Sequence, residues 1–540
     1  MTTEYKRMQQ LIGTTAEWGA NDLVVGDGEL AVEQTGTATK IKIGDGATKF
    51  SALPYIGGGD SQFLQAGTGA VARTAQAKMR DVVSVFDFMT AEQIADVQAR
   101  TALVDTTAAI QAAIDSFGTT GGVVRLPKGK YKTTAKITLH SGVSLIGDGQ
   151  FGVIQTYDQG TTTIYGVHNG TAILSLVGAV SCTVSDLCLQ TAATAPWPQT
   201  GLLLGRNTAA SAGYHKIIRV SAYGNFTIAN VYSIASEDNY WEDLNLWNYA
   251  LGGAKHCFYT SIGNSNPAMT EPLVTSSNLD NVFVRFWFTN NEPAADAACI
   301  YLDNAEGMGS WSFFGGYCTA AGGSYVTINN GAIDGLSALG PFTFSGFNGE
   351  RLAGGDPLYG FNLLASAPVE LRGLFISGAR FEFSAGTNHY QLRKQPNLTL
   401  IAPNIVLQPP DAHPYALTDV SRDKVRGGVL SIGRDYAWTN VTLATDWGNS
   451  YGAPYAPASY SIDANGFVRL RGLVQRSVAG SPVMFTLPAT VRPAANMIFT
   501  TGAGTSVGQI LVNSTTGDVS LLVGTVTDQI DLSPVQFNFL

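Results

Sequence analysis

The chain has 540 residues, a net charge of −9, only 14% charged side chains and 61 glycines. The length allows several domains and a large core. An acidic balance with no dense Lys/Arg block excludes the basic footprint of a nucleic-acid binder, and the lack of a run of about 20 apolar residues excludes a helical membrane span.

In chain order, the opening MTTEYKRMQQ lacks the apolar core of a signal peptide, so export by that route is not expected. Residues 1–57 read as a small unit of their own: Gly28–Gln34 (GELAVEQ) and Lys40–Ile56 (KIKIGDGATKFSALPYI) are short strands joined by tight Gly-Asp-Gly turns. Residues 58–104 read as a glycine-rich linker followed by a helix-leaning neck, TAEQIADVQARTAL from Thr90. Asp105 to Phe117 then spaces Ala108, Ile110, Ala112, Ala113 and Ile114 as a helix does, with Asp105 and Thr106 at its start and Gly118 as its stop. Gly121-Gly122 opens a strand, VVRL, which turns at Pro127-Lys128-Gly129.

From there to about residue 410 short β-rich runs recur: CTVSDLCLQ, HKIIRVSAY, NYWEDLNLW, SNLDNVFVRFW, GSWSFFGGY, PFTFSGFNGE and VELRGLFISGARFEF. Their period is loose, roughly 30 residues, which signals a solenoid. About three short strands per repeat is what one coil of a parallel β-helix requires. The spacing predicts one inward ladder of Leu187, Val220, Leu244 and Val282 and a second of Leu189, Ala222, Leu246 and Val284. Cys188, Ser221, Asn245 and Phe283, then Gln190, Tyr223, Trp247 and Arg285, are expected to point outward beside them. Asp186, Asp243 and Asn281 fall at one place in three runs and read as a polar ladder at a turn. Residues 411–540 change texture. Ser459–Ser477 and Gly508–Gly524 show hairpins with Asn-Gly and Thr-Gly-Asp turns, a compact antiparallel sandwich for trimerisation or glycan contact. The fold class is all-β: a right-handed parallel β-helix over 105–410, capped by its first helix, between an N-terminal unit and a C-terminal sandwich.

The five cysteines (Cys182, Cys188, Cys257, Cys299 and Cys318) are scattered without a CxxC pair, which points to buried thiols in a reducing compartment rather than zinc or disulfides. No HExxH or similar cluster is present, so neither a metal nor another cofactor is expected. VSLIGDG lacks the Gly-Lys-Ser/Thr of a phosphate loop and reads as a turn.

Three stretches carry a resemblance. IKIGDGATKFSALPY is similar to the attachment domain of phage tail fibres. GTGAVARTAQAKMRDVVSVFDF, followed by DTTAAIQAAID, GGVVRLPKGKY and VSLIGDG, resembles the entry of a tailspike β-helix. NGFVRLRGLV with FTLPATVRP looks like C-terminal modules of tail fibres. The chain thus resembles bacteriophage tailspikes and receptor-binding tail fibres with a pectate-lyase-like β-helix. The resemblance implies a homotrimer fixed by its N-terminal domain to the phage tail or baseplate. It also implies a virion protein made in the host cytoplasm and acting outside the cell, on capsule, exopolysaccharide or O-antigen. No membrane insertion is implied. The short helix of the entry would plug the first coil, shielding its apolar end and free strand edge.

Sugar sites need aromatic faces for C–H surfaces and carboxylates or amides for hydroxyls. The middle coils supply such groups in Tyr223, Trp241, Trp247, Phe283, Arg285, Trp287, Trp311 and Tyr317, and Tyr223, Trp247, Arg285, Trp287 and Tyr317 are the candidate substrate-binding residues. Glycosidic hydrolysis needs two carboxyl groups about 5–5.5 Å apart for retention or about 6.5–9.5 Å for inversion, distances that neighbouring coils provide. The candidates are Glu242, Asp280, Asp303, Glu306, Glu350 and Glu382, with Asp303 or Glu306 acting with Glu350 the favoured catalytic set. A polysaccharide lyase, using Arg285, Lys255, His256 or Arg351, and a non-catalytic adhesin of the same architecture are the alternatives. An esterase that removes acetyl groups is a further one.

Overall fold

The computed structural model describes every residue except 1–9, 36–38, 57–61, 151–159, 208–211, 264–265, 277, 304–307, 331–337, 367, 384–389, 396, 408–424, 427–428, 433–437, 451–455, 463–466, 479, 504–505, 524–528 and 539–540. Its body is a parallel β-helix. The middle coils contribute one long strand and one short strand, as in Lys216–Gly224 then Ala229–Ile234, and Tyr240–Asn248 then His256–Ser261. Later coils add a third, Ala338–Leu339, Val369–Arg372, Leu398–Ile401 and Val425–Arg426, stacked in a parallel sheet of four. Among the described residues the long strands stack into a sheet of fifteen and the short ones into a sheet of nine, each paired in parallel with the next coil.

A single left-handed residue bends the long strand in the middle: Asp186, Arg219, Asp243, Arg285, Gly315, Gly346 and Gly378, all with φ between 51° and 65°. Each coil therefore has three faces. Either side of the corner, alternation sends one set of side chains inward. Val184, Ile217, Trp241, Phe283, Phe313 and Phe344 form one row. Its rings stack up the axis, Trp241 on Phe283 at 5.2 Å, Phe283 on Phe313 at 4.6 Å and Phe313 on Phe344 at 4.7 Å. Burying so many large side chains in one continuous core is the main favourable term for the body.

The register corrects three expectations. Leu244 is followed in its inward row by Phe286, not Val282, and Leu246 by Phe288, not Val284. Phe283, expected to face outward, is fully buried, as are Trp241 and Trp311. Asn281 stands one coil above Asn239, not in the row of Asp186 and Asp243. The sequence alignment matched Asp with Asn by chemistry, whereas the corner is defined by backbone conformation, and Arg occupies it as well as Asp. The polar ladder at a turn exists elsewhere: the His215 amide donates to Asn239, and Asn239 Nδ2 donates to Asn281 Oδ1 at 2.9 Å. These side chains satisfy backbone groups that the turn would leave buried and unpaired.

The entry is capped by the helix Thr107–Asp115, with Ile110, Ala113 and Ile114 fully buried. Gln111 clamps it to the first coil, accepting from the Thr138 amide at 2.9 Å and donating to its carbonyl at 3.0 Å. The body starts earlier than residue 105: Val82–Ser84 pairs in parallel with Gly122–Arg125, and Val97 of the helix Ala91–Ala99 lies against Gly129, where a Cβ would come within 2.3 Å of it. At the other end the long sheet runs on to Val429–Ile432.

The N-terminal unit is a four-stranded sheet whose core is built on Trp18 stacked over Phe50 at 4.0 Å. The C-terminal part holds an antiparallel sheet of four strands and another of seven around Val474, Met484, Ile510, Ile530 and Phe537. All five cysteines are free and buried. No described helix is long and apolar enough to cross a membrane.

Candidate functional site

The outer face of the nine-stranded sheet is partly closed. Met269 and Leu273 lie over Tyr232, Tyr259 and their neighbours, and Glu271 ties this covering segment down through Lys136 at 2.7 Å and the Thr171 hydroxyl at 2.7 Å. The outer face of the long sheet beyond the corner carries a different set of side chains. Two outward rows run along the axis there. One is Cys188, Ser221, Asn245, Trp287, Tyr317, Asn348 and Arg380. The other is Gln190, Tyr223, Trp247, Thr289, Thr319 and Glu350. The same register carries the second row one coil further to Glu382, whose amide donates to Gly349 O at 2.8 Å.

All five candidate binding residues lie on this face or at its corner. Trp287 is 37% exposed and its ring meets that of Tyr317 edge-on at 4.7 Å. Tyr223, Trp247, Tyr249 and Cys188 make a small apolar cluster on the outside of the sheet. Inside that row Gln190 Oε1 and Trp247 Nε1 are buried without a hydrogen-bond partner. At the corner, Arg285 bridges Glu242 at 2.6 Å and Asp243 at 3.0 Å, and Arg219 pairs with Asp186. A shallow groove of about 240 Å³ follows, lined by Gln150, Asp243, Asn245, Arg285, Trp287 and Gly315.

The carboxylates divide. Glu350 is exposed in its outward row and accepts a hydrogen bond from the Tyr317 hydroxyl. Asp303 lies on the nine-stranded sheet instead, buried, accepting from Tyr259 Oη at 2.7 Å and Asn329 Nδ2 at 2.7 Å. Burial, and after it the charge of Asp303, pushes the Tyr301 phenol well above its ordinary range. Glu306 lies outside the described residues. The structure therefore does not place Asp303 and Glu350 on one face; it places Glu350 beside Glu382. The signal for that pair was available in the sequence, since NGER and FEFS each put a glutamate directly after an inward residue, Gly349 or Phe381, but only the register shows that the two coincide.

Of the residues considered for a lyase, His256 is in the nine-stranded sheet, stacked on Tyr301 at 4.2 Å, and burial pulls its pKa from 6.5 down to about 3. Lys255 pairs with Asp296, and Arg351 donates to Gly355 O. No group of three or more His, Cys, Asp or Glu side chains suited to a metal occurs among the described residues.

Residues 101–279 match the family described as rhamnogalacturonase A/epimerase, pectate lyase-like. The matched stretch is the capped first part of the β-helix. None of the curated proteins matches the chain in sequence. Among solved structures, ORF18 of Geobacillus virus E2 is 14% identical, with 98% of this chain and 93% of that one covered at a TM-score of 0.43. The gp42 tailspike of Acinetobacter phage vb_AbaP_AS12 is 12% identical, with 95% and 93% covered at 0.41. The tailspike gp49 of Acinetobacter baumannii bacteriophage Fri1, described as a capsular polysaccharide depolymerase, is 13% identical, with 97% and 98% covered at 0.33. The β-helix itself rests on this chain's own strand register.

Proposed function

We propose that the chain is a phage tailspike that binds a bacterial surface polysaccharide along the outer face of its long sheet and cleaves it by glycosidic hydrolysis. The observation that carries the reading is two outward rows running side by side, one carrying the rings of Trp287 and Tyr317, the other bringing Glu350 and Glu382 together on adjacent coils. Neighbouring strands lie about 4.8 Å apart, close to the separation of about 5–5.5 Å at which two carboxyl groups retain anomeric configuration. Tyr317 orients Glu350, which suits it to attack the anomeric carbon as the carboxylate. Glu382 then donates its proton to the departing glycosidic oxygen. In the second half it takes a proton from the water that displaces Glu350, so both groups return to their starting state. Trp287, Tyr317 and Trp247 supply apolar ring surface for sugar C–H faces, Tyr223 is buried behind them in the cluster with Trp247 and Tyr249, and Arg285, Asn245 and Gln190 supply hydroxyl partners.

Trimer formation and attachment through the N-terminal unit belong to the same proposal. In one row of that unit's sheet Ile12, Ile41 and Ile56 stand exposed around the buried Val32, and such a patch suits an interface.

The test is incubation of the purified protein with capsule and O-antigen preparations from a strain panel, with products followed by size exclusion and mass spectrometry. Shortened oligosaccharides carrying one added water, abolished in Glu350→Gln and in Glu382→Gln, are expected. Unsaturated products absorbing in the ultraviolet would replace the hydrolase with a lyase. Binding that persists with no shortening on any susceptible strain would make the chain an adhesin.

A further inference from the structure

The C-terminal sandwich holds a groove of about 500 Å³ that the β-helix reading does not use. It opens between two edge strands: Thr439–Asn440 at the margin of the four-stranded sheet and Val483–Thr486 at the margin of the seven-stranded one. The segment from Val441 to Ala444 crosses from one margin to the other, tied by the Val441 amide to Ala458 O at 3.0 Å and the Ala444 amide to Met484 O at 2.8 Å. The floor is therefore held at both ends by backbone hydrogen bonds, and its volume lies within the range of about 300–1,000 Å³ in which small ligands are enclosed.

The lining has a definite chemistry. Phe485, Val483, Leu443 and Pro488 are apolar, and no charged side chain lines the groove among the described residues. The polar groups are all neutral. Thr439, Thr442 and Tyr460 use no side-chain oxygen in a hydrogen bond among the described residues. Asn440 accepts from the Ser459 hydroxyl at 3.0 Å, which leaves its amide NH2 as a donor. An aromatic and aliphatic floor with four uncommitted hydroxyl and amide groups matches a ligand that carries both C–H faces and hydroxyls. A charged ligand would find no counter-charge, and its desolvation would be uncompensated.

We propose that this groove is a second, non-catalytic binding site for an uncharged saccharide unit, with Tyr460, Leu443 and Val483 under the sugar ring and Thr439, Asn440 and Thr442 on its hydroxyls. Such a site holds the glycan on the C-terminal sandwich independently of cleavage on the β-helix. Because the two sites add to avidity without sharing residues, the inference stands or falls apart from the catalytic reading.

The experiment is saturation-transfer NMR on the full chain with galactose, glucose, rhamnose, N-acetylglucosamine and N-acetylgalactosamine and their short oligomers. Transfer to ring C–H protons of at least one of these is expected. Thr442→Arg, which fills an exposed edge of the groove, should weaken that binding at least about tenfold and should leave polysaccharide cleavage unchanged. Asn440→Ala should weaken it less, and Trp287→Ala should not affect it. No transfer from any member of the panel would overturn the proposal, as would transfer untouched by Thr442→Arg in a variant with wild-type circular dichroism and melting temperature. A changed oligomeric state in Thr442→Arg would also overturn it, assigning the groove to a second copy of the chain.

Discussion

His215 sits in the polar row of the turn, its Nδ1 accepting from the Cys182 amide at 3.2 Å, and burial pulls its pKa from 6.5 down to about 4. In the unfolded chain the imidazole takes up a proton near its ordinary value. Between about pH 6.5 and pH 4 the unfolded state therefore holds one proton more than the folded state, and stability falls as pH falls. The slope is about 1.4 kcal/mol per pH unit for each such group. His256, depressed further to about 3, adds to the same trend over a longer window. The melting temperature should drop as pH is lowered from 6.5 towards 4, and His215→Gln should flatten that slope while costing some stability at neutral pH; an unchanged slope would mean His215 is not held neutral. At the corner, Arg219 adopts φ 51° and pairs with Asp186 on an exposed surface. A left-handed residue with a Cβ costs about 1–2 kcal/mol, and an exposed pair returns about 0–1 kcal/mol. Arg219→Gly is therefore expected to be neutral or to stabilise by about 1 kcal/mol in thermal unfolding. A clear loss would show that the alternating charges of the corner hold the coils together.

At the scale of elements, the inward row Leu187, Val220, Leu244 and Phe286 is interrupted at Gly316 before Phe347 continues it. The Phe286 ring fills the space, and a Cβ on Gly316 would lie 1.9 Å from it. Gly316→Val should force the ring aside and destabilise the body by about 1–3 kcal/mol, read as a lower melting temperature. Paired with Phe286→Leu, the loss should shrink, because the removed ring makes room. The capping helix is the other local element with a defined duty: Ile114→Asp would bury a charge at the open end of the first coil, and soluble yield should fall sharply relative to a change at an exposed position of the same helix such as Ala112→Lys. Much of this scale is readable from residue order. The helix at Asp105, the strand after Gly121 and the hairpins of the last part stand where spacing put them, because each is determined by neighbours a few residues away.

Across the whole molecule, the pair Glu350 and Glu382 exists only because two coils stack in one register. If adjacent coils set the carboxyl separation, hydrolysis should retain the anomeric configuration, which proton NMR of the first-formed product shows directly; inversion would move the chemistry to carboxylates spaced further apart. Trp287→Ala should raise KM by roughly tenfold with kcat little changed, since a ring platform binds substrate and transition state alike.

The sequence by itself determined the class of the molecule: period, glycine content, alternation and the helix before the first strand are local properties, and they suffice for a capped β-helix between two smaller units. It also put Tyr223 and Trp247 in one outward row, because side chains on alternate positions of aligned runs share a face. Register was decided only in the tertiary structure. A four-residue slip in aligning one run exchanged Val282 for Phe286 and turned Phe283 from core to surface, and no local feature of that run reveals the slip. The carboxylates depend on register twice, once for which sheet each one joins and once for which coil stands above it. Asp303 and Glu350 are alike in sequence context, a carboxylate at the end of a short strand, and the fold sends them to different sheets. Glu350 and Glu382 are 32 positions apart by number, and stacking at one strand spacing makes them neighbours.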